Sequence, residues 1–247
     1  MNTTLTSETS DTVRKTLEYV RHHRLAKGDR LPSERNLSDR FGVTRSSVRE
    51  ALAVLDAMRI TERKAKSGIF LRNMPDDGGL DALVLQADLG MAFDAQLTRD
   101  AIEARILCEE QAFRLACQRR TDADLAKLHG LLDTYAVLAA NGRNMADEDV
   151  EFHLAVAAAS QNRILVRTIT PLMLMSTRGR RRYFQSAELR QRSLDDHRAF
   201  VAAIEARDEV AVTALVHSHV HTAAADIWAL NEAAAETQDA EAPDKHD

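Results

Sequence analysis

Helix breakers are scarce in this chain, with four prolines and nine glycines in 247 residues. So few of them exclude a turn-rich all-β architecture and point to a mainly helical protein. Cysteine is scarcer still. Cys108 and Cys117 stand nine apart on one predicted helix, and at about 100° per residue they fall on opposite faces and cannot pair. Both are expected to be reduced and structural. No apolar run approaches the length of a membrane span, and Met1-Asn2-Thr3-Thr4 lacks the basic-then-apolar pattern of a secretory signal. No membrane partner is expected, and a cytoplasmic location follows. Aromatic residues make up only 4% of the chain.

What is present is length enough for two domains, each burying its own core, and a charge that is unevenly divided. The net charge is −5. Residues 11–72 hold 15 Lys and Arg against 8 Asp and Glu, whereas the rest holds 18 against 30. A basic module joined to an acidic one suits a nucleic-acid reader attached to a separate sensor or dimerisation domain.

The basic part contains Leu31-Pro32-Ser33-Glu34-Arg35 and, further on, Phe41-Gly42-Val43-Thr44-Arg45-Ser46-Ser47-Val48-Arg49-Glu50-Ala51-Leu52. Ser33 can cap a short helix whose inner face carries Leu37 and Phe41. Gly42 supplies a tight turn, and Val43 points inward. Thr44 can cap a second helix with the inner stripe Val48, Ala51, Leu52 and Leu55. The outer tip of that helix, Arg45, Ser46, Ser47 and Arg49, offers donors and acceptors for phosphates and base edges. A solvated helical hairpin would show the same charges. The glycine turn, the polar tip and the hairpin that follows favour DNA binding.

This stretch resembles the winged helix-turn-helix of GntR-type bacterial regulators over residues 11–72. The resemblance implies operator contacts by Arg35, Thr44, Arg45, Ser46, Ser47 and Arg49. It also implies a β-hairpin wing over Ile60–Leu71, with minor-groove contacts through Lys66, Ser67 and Gly68. Lys66 stands where the family usually has a first glycine.

Residues 1–10 are polar and are expected to form a disordered arm. Residues 11–25 carry Val13, Leu17, Val20 and Leu25 at helical spacing. Residues 73–79, Asn-Met-Pro-Asp-Asp-Gly-Gly, form the strongest cluster of breakers and read as a linker. From Leu80 to residue 232 the pattern gives an all-helical domain, with helices near 80–90, 97–118, 121–139, 145–159, 162–184, 190–206 and 208–232. Residues 233–247 are expected to be a frayed tail.

Polar residues on apolar stripes carry the information in a bundle. On the 97–118 helix Ile102, Ile106, Phe113 and Ala116 mark the inner stripe, and Arg105 and Glu109 fall within the same arc. They read equally as an internal ion pair or as an arginine fork for a carboxylate ligand. Asp149 and His153 lie one turn apart, able to hold one metal ion together. His197 shares a stripe with Leu194, Val201 and Ile204, and His219 with Val212 and Leu215, while His217 and His221 point away. Spacing alone leaves core histidines and metal ligands equally open.

The order Glu103-x-Arg105-x3-Glu109, Asp149-x-Glu151-Phe152-His153, Asn162, His197 and His219 is similar to the FCD effector domain over about residues 95–230. That domain partners the winged helix in the FadR-like subfamily of GntR regulators. The resemblance implies a divalent metal, most often zinc, with nickel or manganese as alternatives, held by Asp149, His153, His197 and His219. It implies a small carboxylic or sugar acid as effector, gripped by Arg105 and Asn162. From the run Arg178–Arg182, one arginine, Arg178, is expected to turn inward.

The expectation is thus a mainly α protein, a winged helix-turn-helix followed by an FCD-type bundle. It would bind a palindromic double-stranded DNA operator as a homodimeric repressor and would not be an enzyme. A metal-dependent hydrolase using the Asp/His/His/His set is the competing reading.

Overall fold

The computed structural model describes residues 7–72, 77–91 and 93–240. The chain divides into two compact units, one ending at Met91 and the other beginning at Ala92.

The first unit is built from α1 (Ser7–His22), α2 (Glu34–Phe41), α3 (Arg45–Ala57), β1 (Thr61–Lys64), β2 (Gly68–Leu71) and α4 (Leu80–Asp88). Its core gathers Leu17, Leu37, Val48, Ala51, Leu55 and Ile60. The local chemistry matches the sequence: Ser33 accepts from the Asn36 amide, and Thr44 from the Ser47 amide. Gly42 closes α2 at φ +64°, a left-handed turn that glycine adopts without strain. The wing is an antiparallel hairpin pairing Thr61 with Leu71 and Lys64 with Gly68. The Arg30 segment adds a bridge to Phe70 on its other side.

Two boundaries differ from expectation in this unit. Helix α1 begins within the expected disordered arm, because Thr9 and Thr12 are buried and their hydroxyls are satisfied, by Glu50 Oε2 at 2.9 Å and the Glu8 carbonyl at 2.8 Å. Only residues 1–6 of that arm lie outside the described residues, as do 73–76 of the linker. Helix α4, assigned by sequence to the second domain, lies in the first unit, where Ala82 is fully buried in the core and Leu85 and Leu89 pack against it.

The second unit is all helical: α5 (Ala95–Arg119), α6 (Asp122–Ala140), α7 (Ala146–Ala159), α8 (Arg163–Leu174), α9 (Thr177–Tyr183), α10 (Ala187–Glu205) and α11 (Glu209–Ala240). Helix α5 packs against α7, α8, α10 and α11 and so runs through the middle of the bundle. The expected helix 162–184 is two helices. Pro171 removes a backbone donor late in α8, and the Arg180 guanidinium and Ser176 hydroxyl take the Met173 carbonyl at 2.7 and 3.2 Å. The expected tail is helical as far as Ala240, and 241–247 lie outside the described residues. Among the described residues no helix is long and apolar enough to cross a membrane.

Candidate nucleic-acid interface and metal centre

In the first unit the exposed tip of α3 presents Arg45, Ser46 and Arg49, with Thr44 at its cap and Arg35 exposed on α2. Glu34, in the first turn of α2, accepts from Arg49 Nε at 2.7 Å and from Arg63 NH2 at 3.1 Å. The Arg49 bond, helped by Arg63, holds the Glu34 carboxyl below its ordinary range. One carboxylate therefore fastens both α3 and the β-hairpin to α2. Between them lies a concavity of about 460 Å³ lined by Arg30, Arg35, Arg45, Arg49, Arg63, Lys64 and Lys66. Such a basic groove suits a phosphate backbone.

Ser47 does not face outward with its neighbours. It is buried, its hydroxyl 2.6 Å from Glu8 Oε1 and 2.8 Å from Thr44 Oγ1, and it ties α1 to α3. Lys66 takes the left-handed turn position at φ +61°, and Ser67 is exposed beside it. Gly68 has φ +121°, a backbone conformation that favours glycine, and a Cβ there would lie 2.7 Å from Arg30 Nε and displace that guanidinium.

In the second unit the inner stripe of α5 is centred on Ala101, Arg105, Glu109, Ala112 and Ala116, with Ile102 and Ile106 only half-buried on its flank. The polar pair therefore occupies the middle of the buried face. Arg105 and Glu109 are joined at 3.1 Å, and the Arg105 NH1 nitrogen has no partner. Burial would raise the Glu109 carboxyl, but Arg105 and His153 reverse this and hold it at about 2.

Helix α7 brings Asp149 and His153 to this face, α10 brings His197, and α11 brings His219. The three histidines are buried, and one ligand atom from each lies within 4.8 Å of the others. Imidazoles gathered this closely are a donor type that zinc and similar divalent ions would take. No ring nitrogen of His153 or His197 makes a well-aligned hydrogen bond although the rings are fully buried; the nearest acceptors are Glu109 Oε1, 3.3 Å from His153 Nδ1, and Asp149 Oδ1, 3.6 Å from His197 Nε2. Buried polar atoms are nearly always satisfied, so a nitrogen on each ring fits the role of a metal ligand. His219 Nδ1 is bonded to Asp196 Oδ2 at 2.7 Å, which leaves Nε2 as its ligand atom. Burial pushes His197 well below the ordinary imidazole range and His219 below it, the latter against the pull of Asp196. Both are then neutral near pH 7, the form that ligates metals.

Asp149 stands at the edge of the cluster. Its Oδ1 accepts from the Tyr135 hydroxyl at 2.8 Å and lies 3.6 Å from His197 Nε2, while Oδ2 accepts from Arg180 Nε at 2.8 Å. Burial would raise this carboxyl, but His153, Arg180 and His197 hold it well below the usual carboxylate range. The three imidazoles fit a divalent cation, with the unpartnered end of Arg105 available to an anion. The expected fourth ligand, Asp149, lies outside this close group, its two oxygens accepting from Tyr135 and Arg180.

Of the effector residues expected from sequence, Arg105 is at the cluster. Asn162 caps α8, its Oδ1 accepting from Ile164 and Leu165 amides. Arg178 is half-buried, and the arginine wholly buried against Asp149 is Arg180. Sequence reasoning missed Arg180, Tyr135 and Asp196. Asp196, directly before His197, was the one with a readable signal, since a carboxylate beside a candidate ligand often orients a neighbouring imidazole.

Comparison with known proteins agrees with this division. Residues 10–71 match the family described as bacterial regulatory proteins, gntR family, and residues 100–222 match the FCD domain. The HTH-type transcriptional regulator LutR of Bacillus subtilis is 29% identical over 206 residues, covering 81% of this chain and 92% of that protein. The putative L-lactate dehydrogenase operon regulatory protein of Escherichia coli is 30% identical over 225 residues, 88% of this chain and 85% of that one. Among solved structures, one titled as Lar, which controls the Listeria monocytogenes agr system, shares the fold. It has a TM-score of 0.68 at 19% identity and covers 93% of this chain and all of that one.

Proposed function

This chain belongs to the GntR family of bacterial regulatory proteins, in the FadR-like branch that carries an FCD effector domain, and on that premise we propose that it is a cytoplasmic, homodimeric repressor released by a small organic acid. Two recognition helices would read two half-sites of a palindrome through Arg35, Thr44, Arg45, Ser46 and Arg49, with Lys66 and Ser67 of each wing against the adjoining groove. The basic groove beside α3 would make affinity fall steeply with salt.

The observation that carries the effector half of this reading is the buried cluster of His153, His197 and His219 beside Asp149, with its unpartnered ring nitrogens. These four side chains would hold a divalent cation, zinc first, nickel or manganese otherwise. When bound, it supplies a Lewis-acid position for a carboxylate or hydroxyl oxygen. Arg105 would grip the carboxylate from the other side through its free NH1 nitrogen. The name of the Escherichia coli relative supports a hydroxy acid such as lactate as the class to test first.

The test is a thermal-shift screen of the zinc-loaded protein against hydroxy, keto and sugar acids, repeated after chelation. An acid that raises the melting temperature only with zinc present, weakens operator binding and is recovered unchanged is the expected result. Absence of any zinc-dependent hit would overturn the acid-on-metal reading, and turnover of the acid would favour the hydrolase-like alternative.

A further inference from the structure

Glu109 stands between the two halves of the site. It is fully buried, and its Oε1 atom is 3.1 Å from Arg105 Nε and 3.3 Å from His153 Nδ1, while Oε2 has no partner. The bland reading is an internal ion pair whose only work is to neutralise Arg105. Geometry asks more of it. A carboxylate can only accept, so the ring nitrogen beside it must carry the proton. In the neutral ring that puts the hydrogen on Nδ1 and leaves the lone pair on Nε2, an atom that is itself buried and unpartnered. The rings of His197 and His219 lie 5.2 and 5.6 Å from that of His153. The same oxygen fixes the guanidinium by its Nε edge and leaves NH1 unbound.

We propose that Glu109 is a positioning residue shared by the two binding functions: through one oxygen it sets the tautomer of His153 for a metal ion and aims Arg105 at an anionic ligand. This rests on the proposed metal-containing site, and it adds that the two affinities are linked through one side chain one turn along α5 from Arg105. Carboxylates behind metal-ligating histidines typically contribute 10–100-fold in metal affinity.

The experiment uses the full chain and has two readouts. The first is nitrogen-15 NMR of the zinc-free protein, with the His153 signals assigned by their loss in His153→Gln. Protonation at Nδ1 in the wild type, shifting toward Nε2 in Glu109→Gln, is expected. Protonation at Nε2 in the wild type overturns the proposal. The second is zinc affinity by competition with a chromophoric chelator. Glu109→Gln should weaken zinc by tenfold or more, whereas Arg105→Gln should stay within about threefold. Because Glu109→Gln leaves Arg105 uncompensated and can fail to fold, Arg105→Gln/Glu109→Gln is measured beside it. The double variant removes both charges, so a purely structural pair predicts recovery of wild-type zinc affinity and would overturn the proposal; a persisting tenfold loss supports it. If the wild type binds no zinc, the metal reading of the site fails, while the tautomer measurement still decides the role of Glu109.

Discussion

Gly68 shows how much one residue can hold in place. It opens β2 at φ +121°, directly under the Arg30 guanidinium. Gly68→Ala forces an L side chain into a disfavoured backbone region and pushes Arg30 off the wing. A loss of about 1–3 kcal/mol is expected in urea unfolding of the first unit, together with weaker operator binding. An unchanged midpoint would show that the hairpin tolerates a Cβ. Asp196 acts at the other end of the chain by a different means. It is half-exposed, so Asp196→Asn leaves the core intact, yet it weakens the bond that orients His219. Zinc affinity should fall about tenfold in a chelator competition with little change in metal-free stability; equal affinity would remove Asp196 from the site. At this scale the sequence was legible where one residue type answers one local need. The Ser33 and Thr44 caps and the Gly42 turn are of that kind. Ser47 was not legible, because a serine at a helix tip looks the same whether it faces solvent or Glu8 across the domain.

Elements were read well where periodicity ran unbroken and poorly where it was reset. The pattern over 162–184 looks like one helix, and on one helix the phase of the arginine run cannot be settled. The break at Met175–Ser176 rotates α9 relative to α8 and sends Arg180 rather than Arg178 into the core. Arg180 then joins three elements, taking the Met173 carbonyl at the end of α8 and the Asp149 carboxylate of α7 while it belongs to α9. Its removal strands a buried carboxylate. Arg180→Met should therefore destabilise the second unit by about 3–5 kcal/mol, read by thermal or urea unfolding. Adding Asp149→Asn should restore a large part of that loss, because the stranded charge is gone. If the double variant is no more stable than Arg180→Met alone, the arginine acts through the α8 carbonyl and not through Asp149. The centre of the α5 stripe was displaced for a related reason. Hydrophobicity points to Ile102 and Ile106, but the buried arc is centred on Arg105 and Glu109, where each charge makes burial of the other tolerable.

For the molecule as a whole, the uneven charge and the 73–79 breaker cluster announced two parts, although the compact units divide at Met91. Helix α4 was assigned to the wrong side because its apolar face, with Ala82, Leu83 and Leu85, carries no mark of which core it completes. The two units can be followed separately in solution. The chain has a single tryptophan, Trp228 on α11, buried edge-on against Phe93 in the second unit. Tryptophan fluorescence therefore reports the second unit alone, whereas far-ultraviolet circular dichroism reports both. A ligand held only by the folded state stabilises it by about 2.7 kcal/mol at 100 times its dissociation constant. With His153, His197 and His219 all in the second unit, saturating zinc should raise the fluorescence midpoint by several degrees. The circular dichroism trace should resolve into one component that moves with it and one, from the first unit, that stays. Chelation should return the moving component to its starting point. His219→Ala should prevent the shift altogether, and Arg45→Ala, on the exposed tip of α3, should leave it untouched while abolishing operator binding. A single transition that moves as one in both probes would overturn the account of two separately stable units, and a fluorescence midpoint indifferent to zinc would remove the metal from the second unit.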